Sequence, residues 1–342
     1  MTSGVIRTVT GDIAPDALGP TLAHEHLLCD VTPPELAAQG LPEIEITLEN
    51  VFEIRHHWCR HPGNNRLDSI DVAVAELARF RAAGGRALVE LTVQGIAPDP
   101  LGLRAISERT GVAVIAGCGW YTVEFAGEAL AAKPPAAMER ELIEAVERGI
   151  DGTGVSAGII GEIGCSCPLR ALEREALVAG ARAQAATGAA ITIHPGRDAA
   201  APHEILDVLG TNGARPERVI ISHLDRTLFD IDDVLRLAGR GSGLEWDFFG
   251  IESSYYPFAP IDLPNDGRRL ELIRAVVDRG YADQVLIAQD ICTRTRLRRF
   301  GGGHGYAHIL ENVVPVMRRR GFTAAEIDLL LIDNPRRFLT LS

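Results

Sequence analysis

A chain of 342 residues that is 46% apolar and 23% charged can bury a large core and is too hydrophobic for a disordered segment. Its net charge of −12 argues against nucleic acid or an anionic membrane as a general partner. No apolar run reaches the roughly 20 residues of a bilayer span, and the first residues lack a basic stretch followed by an apolar one. The expected setting is therefore cytoplasmic, with the six cysteines (Cys29, Cys59, Cys118, Cys165, Cys167 and Cys292) as reduced thiols. The lone Cys165-Ser166-Cys167 pair is read as plain buried thiols.

Along the chain, short runs rich in β-branched residues alternate with helical stretches, the pattern of βαβ units and a parallel sheet. Strands are predicted at 21–26, 86–92, 112–117, 157–164, 189–194, 218–223, 243–248 and 284–290. Helices are predicted at 71–83, 100–110, 136–149, 169–187, 202–211, 230–240, 268–279 and 305–320, with a last one at 323–333 before Asn334-Pro335. Eight strands each followed by a helix define a (β/α)8 TIM barrel, expected as one domain over residues 1–342. Three spacers are long, 27–85, 118–156 and 249–283. They follow strands and so should build the pocket on the catalytic face.

Buried parallel strands should be continuous apolar runs. Here several carry polar residues near their C-terminal ends, where barrel enzymes place their chemistry. The first ends in His24-Glu25-His26, whose alternation puts both imidazoles on one face, able to chelate one ion. Glu25 then faces the helix layer, in an expected structural ion pair. Glu162 interrupts the fourth strand, and a buried carboxylate needs an arginine or a metal as partner. The fifth strand ends at His194, the sixth at His223 and the eighth at Asp290. A single histidine of this kind is usually structural. The ordered set of His24, His26, Glu162, His194, His223 and Asp290 instead supplies nitrogen and oxygen ligands for two metal ions.

With this set the chain resembles the phosphotriesterase-related family of the amidohydrolase superfamily, from Gly19-Pro-Thr-Leu-Ala-His24-Glu-His26 to Asp333-Asn-Pro335. Gly117-Cys-Gly-Trp-Tyr121 and Gly301-Gly-Gly-His-Gly-Tyr306 are further matches. The resemblance implies a binuclear centre: one ion on His24, His26 and Asp290, the other on His194 and His223, with an anionic bridge on the fourth strand. Many members bridge with a carbamylated lysine. The only lysine here is Lys133, well before that strand, so Glu162 takes the part, as in the glutamate-bridged subset. The metal is expected to be zinc, with manganese or cobalt also suited to these ligands. A homodimer is implied as well. In organophosphate-degrading members a seventh-strand histidine helps relay a proton. Trp246 is expected in that place and cannot accept one, and Asp225 is followed by Arg226. Weak or no phosphotriesterase activity follows.

The implied mechanism is attack by a metal-bridging hydroxide on the carbonyl of a small molecule: an amide such as an N-acyl amino acid, a lactone or a carboxylic ester. Asp290 accepts the proton and passes it to the leaving group, and Tyr121 stabilises the hydroxide or the oxyanion. Trp246, Tyr121 and Arg296 are candidate substrate contacts, Arg296 within Arg294-Thr-Arg296-Leu-Arg298-Arg299. Two alternatives stand. A TatD-type nuclease shares the ligand order and the Gly161-Glu162-Ile-Gly164 context, against which weigh the long insertions, the acidic balance and the late position of His24. A barrel that binds a ligand without catalysis is the other.

Overall fold

In a computed structural model, which describes residues 4–57, 60–254 and 256–341, the eight predicted strands form one sheet. They are β1 Thr21–Glu25, β2 Ala87–Glu90, β3 Ala113–Cys118, β4 Ile159–Gly164, β5 Ile191–His194, β6 Val219–Ile221, β7 Gly243–Trp246 and β8 Val285–Ile287. They stand in chain order, and every neighbouring pair is parallel. Helices surround them, as a (β/α)8 barrel requires. Cys59 lies outside the described residues. The other five cysteines are free thiols, and Cys167 is exposed rather than buried.

The sheet curls until β8 meets β1. Asp290 N donates to His24 O at 3.1 Å. Glu25, expected to point at the helices and pair with a cation, instead spans this seam: its two carboxylate oxygens accept Gln289 N at 2.9 Å and Ile291 N at 3.0 Å. β1 has a register shift between Leu22 and Glu25, so strict alternation does not carry through the strand.

Elsewhere alternation sorts the core into two layers. Ala87, Val89, Ala190, Ile220 and Leu286 fill the barrel, while Leu88, Ile191, Ile221 and Ile287 pack outward under the helices. Ile6, Leu18 and Phe338 join the inner cluster. They come from segments the sequence reading left unassigned: strand Val5–Thr8 pairs antiparallel with Gly11–Ile13 and with Thr340–Leu341. Chain ends thus plug the barrel at the end opposite the chemistry.

The helices follow their caps. Ser69 accepts from Val72 N at the start of Ile70–Ala82, and Asp99 accepts from Gly102 N ahead of Pro100–Thr110, which ends on left-handed Gly111. Two expectations fail. The spacers contain unforeseen helices, Val123–Ala131 in 118–156 and the shorter Pro34–Ala37 and Val51–His56 in 27–85. The last helical stretch does not stop at Asn334-Pro335, and Asn334–Leu339 continues it. Pro335 comes just after a π-helical turn, Leu329–Asp333, an irregularity of the kind at which a helical run accommodates proline. Among the described residues no helix is long and apolar enough to cross a membrane.

Candidate metal centre

At the C-terminal mouth of the barrel, β1, β4, β5, β6 and β8 bring His24, His26, Glu162, His194, His223 and Asp290 into one cluster. Glu162 lies at its middle. Its Oε2 is 3.2 Å from His194 Nδ1, 3.3 Å from His223 Nε2 and 3.7 Å from His24 Nε2, and its Oε1 is 3.9 Å from His26 Nε2. Asp290 Oδ1 is 3.2 Å from His26 Nε2 and 3.9 Å from His24 Nε2. The sets His24, His26, Asp290 and His24, Glu162, His223 each place three ligand atoms within 4.8 Å of one another. His194 joins through Nδ1, 2.9 Å from His223 Nε2.

Local backbone aims these groups. β6 and β8 end earlier than expected, at Ile221 and Ile287, because His223 and Asp290 adopt left-handed φ of 57° and 46°. For a side chain with a Cβ that conformation costs roughly 1–3 kcal/mol and persists only where the surroundings fix it. Asp247 does so for His223, accepting its backbone N–H at 2.8 Å, and the Glu25 clamp does so on both sides of Asp290. Before Glu162, Gly161 has φ of 103°, and a Cβ there would collide with Thr192 O, so only glycine fits.

Each imidazole is held by its other nitrogen. His24 Nδ1 lies 3.2 Å from Glu245 Oε2, His26 Nδ1 lies 2.9 Å from Thr92 Oγ1, His223 Nδ1 lies 2.9 Å from Asp247 Oδ1, and His194 Nε2 receives Arg226 Nη2 at 3.0 Å. The acceptors beside His24, His26 and His223 are of the kind that fix the ring orientation and tautomer of a metal-binding histidine; Arg226, which can only donate, is not such a partner for His194. Glu245 and Asp247 were missed by the sequence reading, which put Trp246 here. Trp246 is fully buried in the outer layer of the core and is absent from the cavity lining. The period of two decides it: residue 245 in β7 and residue 247 just past its end share the inward face, and 246 cannot. A pair of carboxylates at i and i+2 in a buried strand was the available signal.

The electrostatics show a shortage of positive charge. Burial alone would raise the Glu162 pKa, yet His24 and His194 hold it well below the carboxylate range. Asp290 is likewise depressed against burial, chiefly by His26 and His24. Burial should also depress His24, but Glu162 and Glu245 raise it well above the usual imidazole value. His24 Nε2 is also buried with no hydrogen-bond partner. An orphaned inward nitrogen, unbalanced carboxylates and a donor set of imidazole and carboxylate all fit divalent cations.

Above the cluster opens a cavity of about 440 Å³, within the ordinary range for a small-molecule site. The three long spacers supply Val31, Tyr121, Phe125, Tyr256 and Phe258 to its wall. Tyr121 lies edge-on to His194 at a ring separation of 4.8 Å. Burial, Glu162 and Asp290 push its pKa well up, so it keeps its proton. Of the four arginines at 294–299 only Arg296 lines this cavity, bonded to Asp290 O. Arg294 pairs with Asp68 and Arg298 with Glu311. Lys133 pairs with Glu141 and lies over Trp120, remote from the role of a bridge.

The model of the phosphotriesterase family matches residues 4–339. The chain belongs to the phosphotriesterase family. Within that family it is 42% identical to the N-acetyltaurine hydrolase of Bos taurus, over 99% of this chain and 98% of the relative. A resiniferatoxin-binding protein from Rhodobacter sphaeroides superposes with a TM-score of 0.92 at 35% identity, over 99% of this chain and 95% of that one. The phosphotriesterase homology protein from Escherichia coli, solved with phosphate in its active site, gives 0.79 at 29% identity, over 95% and 100%. A match of the phosphotriesterase family across the whole barrel sets aside the TatD-type reading of the Gly161–Gly164 context.

Proposed function

We propose that this chain is a metal-dependent hydrolase of small carbonyl substrates, amides foremost, with His24, His26 and Asp290 holding one divalent cation, His194 and His223 the other, and Glu162 shared between them. The observation that carries this reading is the convergence of four inward imidazole nitrogens on Glu162. The likeness to N-acetyltaurine hydrolases supports the amide. Zinc as the metal, a single hydrolase domain, a cytoplasmic homodimer and neither nucleic acid nor membrane as partner complete the proposal. The near-complete mutual coverage with the bovine relative supports one domain, and the charge of −12 supports a small-molecule substrate.

Bound at this site, a pair of such cations supplies an acidified water and polarises the carbonyl oxygen. The chain does the rest. Asp290, at the cavity floor 3.2 Å from His26 Nε2, takes the proton of the attacking water and delivers it to the leaving amine. Tyr121 lines the cavity beside His194 and keeps its phenolic proton, ready to donate to the tetrahedral oxyanion. Phe248, Tyr256 and Phe258 give part of the cavity an aromatic wall.

Phosphotriester hydrolysis is disfavoured by β7. Its inward groups are carboxylates already engaged by His24 and His223. Asp225 is locked by Arg269 and the backbone of Asp247 and Phe248, and does not line the cavity. Neither Glu245 nor Asp247 lines the cavity, so a relay from Asp290 through these residues does not open onto it. The test compares kcat/KM of the zinc-loaded protein for N-acetyltaurine, other N-acyl amino acids, a γ-lactone, an aryl acetate and a diethyl aryl phosphate. The amides should lead and the phosphotriester should trail. Preference for the phosphotriester would overturn the reading. Binding of amides with no turnover by the loaded protein would instead favour a barrel that binds without catalysis.

A further inference from the structure

Arg226 is 2% exposed, in the short turn Leu224–Arg226 that follows His223. Its guanidinium meets only neutral acceptors: Pro195 O at 3.0 Å, Thr227 Oγ1 at 3.5 Å and His194 Nε2 at 3.0 Å. Among the described residues no carboxylate lies within ion-pair distance of it. A buried cation with no counter-charge is costly and calls for an anion. The contrast with other buried arginines is direct. Arg269, fully buried nearby, has Asp225 and Asp266. Arg218 also lacks an acid, but three backbone carbonyls take its donors and it is absent from the cavity lining. Arg226 lines the central cavity beside Tyr121, His194 and Asp290.

The imidazole it touches sharpens the point. His194 Nδ1 faces Glu162, and Nε2 accepts from Arg226. When Nδ1 gives its lone pair to a cation, Nε2 carries the ring proton and can no longer accept. The Arg226 Nη2 donor then needs another acceptor. Nearer the rim, Arg197 donates Nε–H to Tyr256 Oη at 3.0 Å and lies 4.9 Å over Phe258, again with no carboxylate in ion-pair distance among the described residues. Two guanidiniums without acids face one cavity in a protein of net charge −12.

We propose that Arg226 is the specificity-determining receptor for an anionic head group, a sulfonate or carboxylate, carried on the leaving-amine side of the substrate, with Arg197 guiding the anion in from the rim. This rests on the hydrolase reading above for the identity of the leaving amine. A planar fork of donors one imidazole away from the reacting centre matches a short amino-alkyl anion and discriminates against neutral amines.

The test is calorimetric binding of three amines to the zinc-loaded protein: taurine, β-alanine and n-propylamine, which differ in the head group. The wild type should prefer the anionic pair, the stronger of the two reporting sulfonate or carboxylate. Arg226→Met should cut that preference by about tenfold to a hundredfold, the range of a hydrogen bond to a charged group, with zinc content unchanged. Arg226→Lys, which keeps the charge, should retain part of the preference and serves if the methionine variant does not fold. An unaltered preference in Arg226→Met, or no preference in the wild type, overturns the proposal. The two readings separate cleanly. A wild type that prefers taurine but hydrolyses no amide keeps the anion site and loses the hydrolase. Amide hydrolysis without anion preference does the reverse.

Discussion

Glu162→Gln is expected to release metal and abolish turnover together. The glutamine keeps the size of the side chain but removes the charge toward which four imidazoles point. Metal catalysis supplies several kcal/mol of transition-state stabilisation, so kcat/KM should fall by about a thousandfold or more. Metal analysis of the purified variant should show the content dropping from about two ions per chain to one or none. No other anion can replace the bridge. Glu245 and Asp247 are engaged on the outer nitrogens of His24 and His223, and Lys133, the only lysine, is tied to Glu141. Full metal content and wild-type turnover in Glu162→Gln would remove the bridging role.

The second large effect is on stability. Arg269 and Asp225 are both fully buried and paired, and Asp225 also accepts Asp247 N at 2.8 Å and Phe248 N at 3.3 Å. Burial pushes the Asp225 pKa up, with the Arg269 charge acting against it. Arg269→Met leaves this carboxylate buried without its cation, and breaking such a pair from one side costs about 3–5 kcal/mol. Urea unfolding at neutral pH should report a loss of that size. Adding Asp225→Asn to Arg269→Met should recover part of it, because the stranded charge is then gone. A loss under about 1 kcal/mol, the scale of an exposed pair, would show that the two groups are solvated. The site should feel the change too. Asp225 holds the β7 backbone at Asp247, which orients His223, and losing such outer support weakens metal binding by about 10–100-fold.

The barrel was legible because its signals are local. β-branched runs, capped helices and Gly111 past Pro100–Thr110 each announce themselves within a few residues. The cluster was legible for a related reason: barrel chemistry sits at strand ends, and His24, His26, Glu162, His194, His223 and Asp290 are the residues that break the apolar runs there. What the sequence hid are partners that meet only across the fold. Glu25 was given to the helix layer by parity, but a register shift in β1 turns it to backbone N–H groups some 264 residues away. Trp246 was chosen over its neighbours by position on the strand, while Glu245 and Asp247 carried the inward parity. Arg226 looked only like a departure from a family pattern. Its meaning comes from what does not surround it, and an absent counter-charge cannot be read from spacing.

The most direct measurement is a zinc titration of chelator-stripped protein, with hydrolysis of N-acetyltaurine followed at each addition. Activity should be absent at the start, rise with added zinc and level off at about two equivalents per chain. Hydrolysis by the metal-free protein, or a plateau at about one equivalent, would contradict a centre in which Glu162 joins two sets of ligands.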